Sequence, residues 1–222
     1  MLEVNNLSIA RRRGYYFQNL SWRLQPGELL LVYGARNSGK TQLLEVLIGA
    51  RIAASGEVRL AGQPVRGGLP LPITRVGYAP QSLGLWPDLT GEETINFFTG
   101  YNEQLTRELK HNWQLEEAWR KPVGELEGPL RQRINLAVSL AGNAPLIVWD
   151  EPLVIADPGT RTVIFDNLQL SLQSGKTIVL TTAFWQEAEN LPVDKVLWLK
   201  GNEAVLVAPV ELSRALQGGV SA

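Results

Sequence analysis

The chain has 222 residues, 45% of them hydrophobic, and a formal net charge of -1 from 21 basic and 22 acidic side chains, so it can bury a substantial core and carries no general nucleic-acid footprint. It contains no cysteine, which excludes disulfides and thiolate metal sites, and one histidine, His111. No stretch approaches the roughly 20 apolar residues that span a bilayer, and the start, Met1-Leu2-Glu3-Val4-Asn5, lacks a signal-peptide core, so the chain is expected to be soluble and too short to include a membrane part of its own.

Leu2 to Ile9 alternates apolar and polar residues, and Tyr15 to Leu24 resumes the alternation after a break at Arg11-Arg12-Arg13-Gly14. This predicts an antiparallel pair, with the arginines in a solvated hairpin turn. After Pro26-Gly27-Glu28 comes the apolar run Leu29 to Tyr33, and directly behind it Gly34-Ala35-Arg36-Asn37-Ser38-Gly39-Lys40-Thr41, followed by the helical pattern Gln42 to Leu47. That is G-x-x-x-x-G-K-[ST] between a buried strand and a helix, the setting in which such a loop encloses a polyphosphate. Backbone N–H groups of Gly34, Ala35, Arg36, Asn37, Ser38, Gly39, Lys40, Thr41 and Gln42 are then expected to form an anion nest, with Lys40 reaching the β- and γ-phosphates and the Thr41 hydroxyl holding Mg²⁺. Asn37 stands where many such loops carry glycine, and asparagine is among the few other residues that tolerate a left-handed backbone. With a nucleotide at this loop, Tyr15 or Tyr16 could stack on the base, or either could be an ordinary sheet aromatic.

Ser55 to Leu60 reads as a short strand, Gly67 to Pro72 as a connector, and Val76 to Ala79 as a strand that stops at Pro80 and presents Gln81. From Ser82 to about Gly142 the pattern turns helical. Thr90-Gly91-Glu92-Glu93 has capping-box spacing ahead of Thr94 to Tyr101, and Leu109, Trp113 and Leu115 predict a helix over Arg107 to Trp119. Trp86, Trp113 and Trp119 read as core or interface residues rather than ligand contacts. Leu146 to Trp149 is a buried strand ending in Asp150-Glu151, a pair whose burial would cost several kcal/mol without a cation. In phosphate-loop enzymes the first acid holds Mg²⁺ and the second orients and deprotonates the attacking water. Thr160 to Leu172 predicts a helix, Thr177 to Thr181 a strand, Lys195 to Leu199 with Glu203 to Val207 a hairpin, and Val210 to Gln217 a last helix.

In this order, Gly34–Thr41, Gln81 and Asp150-Glu151, with a helical insert between the last two, resemble the ATP-binding subunit of an ABC transporter. The resemblance covers nearly the whole chain. It implies an α/β phosphate-loop ATPase fold of one domain, 1–222, with a RecA-like core and antiparallel β subdomain over about 1–81 and 143–222 and a helical subdomain over about 82–142. It also implies ATP and Mg²⁺ as ligands, with Thr41, Gln81 and Asp150 at the metal, Gln81 relaying nucleotide state to a membrane permease, Asp157 in the loop beyond Glu151, and Glu151 as the catalytic base. The chain would then sit at the cytoplasmic face of the membrane, held by the permease. Leu85-Trp86-Pro87-Asp88-Leu89-Thr90 followed by Asn96-Phe97-Phe98 resembles subunits that serve exporter permeases.

Two motifs depart from the family pattern. The signature, usually Leu-Ser-Gly-Gly-Gln, is here Leu126-Glu127-Gly128-Pro129-Leu130 ahead of Arg131-Gln132-Arg133. The family works as a head-to-tail dimer in which one subunit's signature closes over the γ-phosphate held by the other. At that position Glu127 offers a like charge and Pro129 has no N–H. Two like charges ~4 Å apart at an effective dielectric near 20 repel by roughly 4 kcal/mol. The second departure is at the switch histidine: setting Thr181-Thr182-Ala183 on the family's Val-Thr-His puts Ala183 there, and a one-residue slip puts Thr182 there, which is not histidine either. The resemblance with these gaps implies a non-identical second ATPase chain that completes the site on Gly34–Thr41. The alternative is a regulatory or scaffold subunit that binds nucleotide with little hydrolysis.

Overall fold

The computed structural model describes residues 1–217, so the end of the predicted core span, 218–222, lies outside the described residues. Two sheets organise them. The first is antiparallel, in the order β2-β1-β4-β5, from β1 (Leu2–Ala10), β2 (Tyr15–Leu24), β4 (Ser55–Leu60) and the two-residue β5 (Gln63–Pro64). The predicted turn between β1 and β2 is closed by the Arg11 N–H donating to the Gly14 carbonyl at 3.0 Å, with its arginines exposed. Along β1 the buried apolar set is Leu2, Val4, Leu7 and Ile9, so the alternation slips by one at Asn5-Asn6. A bulge absorbs the slip: the pairing shifts between Val4 and Leu7, and Asn6 takes a left-handed φ of 49° that asparagine tolerates.

The second sheet runs β10-β9-β3-β8-β7-β6, from β3 (Leu29–Gly34), β6 (Val76–Ala79), β7 (Leu146–Trp149), β8 (Thr177–Thr182), β9 (Lys195–Lys200) and β10 (Glu203–Val207). All neighbours are parallel except β9 and β10, which form the predicted hairpin. The continuous apolar runs are explained by burial on both faces. Leu29 and Leu31 of β3 belong to one core, with Trp149 and Leu180, and Leu30 and Val32 to the other, with Val4, Phe17 and Leu43. Because β3, β6, β7 and β8 are parallel, the segments beyond their C-terminal ends collect at one edge of the sheet. In open α/β sheets this is where ligands bind.

Helices flank the parallel sheet: α1 (Lys40–Leu47), α5 (Pro158–Gln173), the short α6 (Trp185–Ala188) and α7 (Pro209–Gln217). Between β6 and β7 lie α2 (Gly91–Thr99), α3 (Glu103–Asn112), a 3-10 turn (Val123–Glu125) and α4 (Gly128–Leu140). The predicted capping box is present: Glu93 N–H donates to the Thr90 hydroxyl at 3.2 Å, and Thr90 N–H donates to the Glu93 carboxylate at 2.8 Å. That bond and the Thr90 hydroxyl hold the Glu93 carboxyl below its usual pKa. Thr90→Ala is expected to cost about 1 kcal/mol in a urea melt, with no change in site chemistry.

The helix predicted over Arg107 to Trp119 is corrected to Glu103–Asn112. It starts early because the Asn102 side chain caps it, accepting from Leu105 N–H at 3.0 Å. It stops early because Gln114 takes a left-handed φ of 50°. Trp113 and Leu115 are still fully buried, from the turn rather than from the helix, so their spacing mimicked a longer helical stripe. Trp113 packs edge-on against Trp149 with centroids 6.1 Å apart, and the Lys110 ammonium lies 4.9 Å from the Trp119 ring. Trp86 instead is exposed, in a cluster with Phe97 and Phe98 at centroid distances of 5.2 and 5.8 Å.

Candidate functional site

The loop after β3 takes its shape from a few residues. Gly34 ends the strand where a Cβ would lie 2.7 Å from the Ser38 hydroxyl and 3.0 Å from Leu199, so only glycine fits. Asn37 is left-handed, at φ 64°, as its residue type suggested. Gly39, at φ 101°, packs under the Tyr16 ring, whose Cγ would be 2.8 Å from a Cβ there, whereas Tyr15 points to solvent and is 40% exposed. Helix α1 then begins at Lys40, with no side-chain cap and no acidic residue in its first turn. Its leading N–H groups have no intrahelical acceptor and carry the positive end of the dipole. The Ser38 hydroxyl is buried there without a hydrogen-bond partner. A polyanion satisfies all of these groups together.

The acidic pair arrives from β7, whose residues sit beside β8 and β6 in register. Asp150 is 2% exposed and accepts two hydroxyl bonds, from Thr41 to Oδ2 at 2.7 Å and from Thr181 to Oδ1 at 2.6 Å. Glu151 is 9% exposed and lies 3.3 Å from Lys40 Nζ through Oε1, while its Oε2 accepts from Gln81 Nε2 at 3.0 Å. Lys40 also donates to the Gly34 and Ala35 carbonyls at 2.8 and 3.0 Å. Arg36, Asn37, Gly39, Lys40, Thr41, Gln42, Gln81 and Glu151 line one cleft of about 350 Å³. Behind it, burial pushes the Tyr78 phenol pKa up, and the Asp150 and Glu45 carboxylates add to the shift.

Thus Gln81, Asp150 and Glu151 meet Lys40 and Thr41 in space, although 109 residues separate Thr41 from Asp150. The hard oxygens of Thr41 and Asp150, side by side, could hold Mg²⁺, a cation that takes oxygen ligands and keeps part of its shell for substrate phosphates. Three features were not readable from the motifs: the Lys40–Glu151 ion pair, the packing of Tyr16 rather than Tyr15 on the loop, and the Thr181 hydroxyl. The last left only a weak trace in the sequence, one of three threonines in the strand Thr177–Thr182.

The two departures also have places in the fold. Glu127 occupies the N-cap position of α4 and is exposed, but its side chain makes no capping bond, and Pro129 sits in the first turn. Ala183 lies just past β8, and beside it Thr182 donates to Glu187 Oε2 at 3.0 Å. Glu187 in turn pairs with Arg161 at 3.3 Å, and Arg161 Nε donates to the Ala156 carbonyl at 3.1 Å, in the loop beyond Glu151. Asp157 caps α5, accepting from Thr160 N–H at 2.7 Å, which keeps its carboxyl pKa low. His111 is exposed on α3, next to Asn112, whose carbonyl is tied to Asn167 of α5.

The family model described as ABC transporter matches residues 17–154, a span that includes the phosphate loop, Gln81 and the strand-end acids. The chain belongs to the ABC transporter family. It is similar to the Nod factor export ATP-binding protein I of Burkholderia thailandensis, 36% identical over 179 residues that cover 78% of this chain and 59% of that protein. It is likewise similar to the protein of that name from Cupriavidus metallidurans, 35% identical over 198 residues, 86% of this chain and 65% of the relative. The chain therefore spans about three fifths of the length of these curated relatives. Its fold matches a dimeric ATP-binding cassette in a post-hydrolysis state bound to ADP and Pi, with a TM-score of 0.81 at 22% identity over 94% of this chain and 99% of that one. It also matches an ATP-binding subunit of an ABC transporter, with a TM-score of 0.83 at 20% identity over 99% and 94%. The α/β phosphate-loop cassette fold expected of an ABC chain is thus present. Among the described residues of this ABC chain, no helix is long and apolar enough to cross a membrane.

Proposed function

We propose that this chain is the ATP-binding subunit of an ABC exporter, coupling ATP binding and hydrolysis at the Gly34–Thr41 loop to transport through a separate membrane permease. The observation that carries it is the convergence on one cleft of Lys40, Thr41, Gln81, Asp150 and Glu151. In this reading the α1 N-terminus and loop amides bind the phosphates, Lys40 leaves Glu151 for the β- and γ-oxygens, and Tyr16 lies under the base. Thr41, Asp150 and Gln81 hold Mg²⁺, which when bound neutralises charge developing on the transferred phosphoryl group. Glu151 orients the attacking water and takes its proton. The export direction is supported by the names of the relatives, and on the helical insert, about 82–142, the exposed Trp86 and Phe97 beside the partly buried Phe98 offer a permease an aromatic anchor. The chain is peripheral at the cytoplasmic face and has no nucleic-acid partner.

We further propose that the second cassette of the working dimer is a non-identical ATPase chain. Glu127 and Pro129 leave this chain's signature without the hydroxyl and one of the N–H donors that a γ-phosphate requires, and Ala183 removes a ligand from its own site. The alternative, a regulatory subunit with little hydrolysis, is favoured by Ala183 and opposed by Glu151, which a pure binder does not need. The test is single-turnover hydrolysis by the complex captured from a gentle membrane extract, comparing wild type, Glu151→Gln and Ala183→His. The expected result is a complex containing a multi-spanning protein and a second ATPase, and a fall of about 10²-fold or more with Glu151→Gln, the scale of lost general-base catalysis. No slowing with Glu151→Gln would favour the regulatory reading. A homodimer of this chain as active as intact family members would sink the heteromeric one.

A further inference from the structure

β8 carries three buried threonines, and the hydroxyl of one of them, Thr181, lies against the acidic pair. Thr181 is 0% exposed and lies near the C-terminal end of the strand. Its Oγ1 uses both of its capacities on the acidic pair: it donates to Asp150 Oδ1 at 2.6 Å and accepts the Glu151 N–H at 2.8 Å. The opposite oxygen of Asp150 accepts from Thr41, so the carboxylate is pinned from two sides and cannot rotate without losing a bond. Glu151 has a left-handed φ of 48°, a conformation disfavoured for a residue with a Cβ, and it persists only where the surroundings hold it. The Thr181 hydroxyl is the group that holds its N–H.

We propose that Thr181 is a positioning residue, which fixes the plane of the Asp150 carboxylate toward Thr41 and holds Glu151 in its left-handed turn. The kinetic consequence rests on the reading of the cleft as a Mg²⁺–ATP site; the geometric one does not.

Thr181→Val removes the hydroxyl at nearly the same shape, and Thr181→Ser keeps it. Three quantities separate the roles: amide hydrogen exchange at Glu151 without nucleotide, the Mg²⁺ concentration that half-saturates ATP binding, and single-turnover hydrolysis in the assembled complex. With Thr181→Val, Glu151 exchange and the Mg²⁺ half-saturation point are each expected to rise about tenfold, the scale of one lost hydrogen bond to a charged group. Hydrolysis should slow by a similar factor while ATP affinity at saturating Mg²⁺ stays put, and Thr181→Ser should restore all three. Unchanged exchange and Mg²⁺ dependence in the Val variant would overturn the proposal, as would a Ser variant as impaired as Val, which marks a packing role. If the wild-type complex hydrolyses no ATP, the hydrolytic reading falls, and the exchange and Mg²⁺ measurements still judge Thr181.

Discussion

Lys40→Ala is expected to weaken ATP binding by more than about a hundredfold, roughly 3 kcal/mol, the scale of truncating one partner of a desolvated charge pair. Two separate losses meet at this residue. The phosphates lose a cation that is 5% exposed and would act at low local dielectric, and Glu151 loses its ion-pair partner. The second loss acts without nucleotide: a buried carboxylate left with only the Gln81 amide destabilises the fold, because breaking a buried pair costs more than the pair was worth. A double-mutant cycle resolves them. Lys40→Ala/Glu151→Gln removes the orphaned charge, so its urea midpoint should recover most of what Lys40→Ala loses, while ATP affinity by titration calorimetry stays low. Equal ATP affinity of wild type and Lys40→Ala would remove the phosphate role from Lys40.

The largest stability effect outside the cleft is expected at Gly77. This residue of β6 packs so closely on α4 that an added Cβ would fall well inside contact distance of the Ser139 backbone carbonyl. No side-chain rotation can relieve that overlap, so α4 must move from β6. Gly77→Ala should cost about 3 kcal/mol, the top of the usual overpacking range, and for a chain of this size lower the melting temperature by about 6–12 °C. The seam it opens also serves the site. Asn135 of α4 donates to the Pro80 carbonyl at 3.1 Å, directly before Gln81, and Trp149 Nε1 donates to the Ser139 hydroxyl at 2.8 Å, directly before Asp150. Displacing α4 therefore disturbs the approaches to both residues, and ATP affinity should fall with stability. A variant that melts like wild type would show that α4 yields more easily than its contacts imply.

Much of the site was legible because its signals are local. A phosphate loop needs glycine or asparagine wherever the backbone turns left-handed, and Gly39 and Asn37 meet that need at φ values of 101° and 64°. Strand ends, the Thr90 cap and the hairpins likewise depend on residues a few positions apart. Where spacing misled, as in the helix ended at Asn112 instead of Trp119, the buried Trp113 and Leu115 were held by Trp149 and the core rather than by a continued helix. Composition gave no clue to that, because burial from a turn and burial from a helix leave similar apolar patterns.

By itself, then, the sequence determined that a polyphosphate loop, a glutamine after a strand and a strand-end acidic pair occur in this chain in family order, and that Glu127, Pro129 and Ala183 break the pattern. Those are statements about residue type at given positions. Tertiary structure alone decided that β8 lies beside β3 and β7 beside β8, bringing Asp150 and Glu151 to Thr41 and Lys40, that Tyr16 rather than Tyr15 packs on Gly39, and that Thr181 reaches both acids. Strand order is set by which apolar faces bury each other across many residues of chain. No local motif encodes that choice, yet it determines which charges meet.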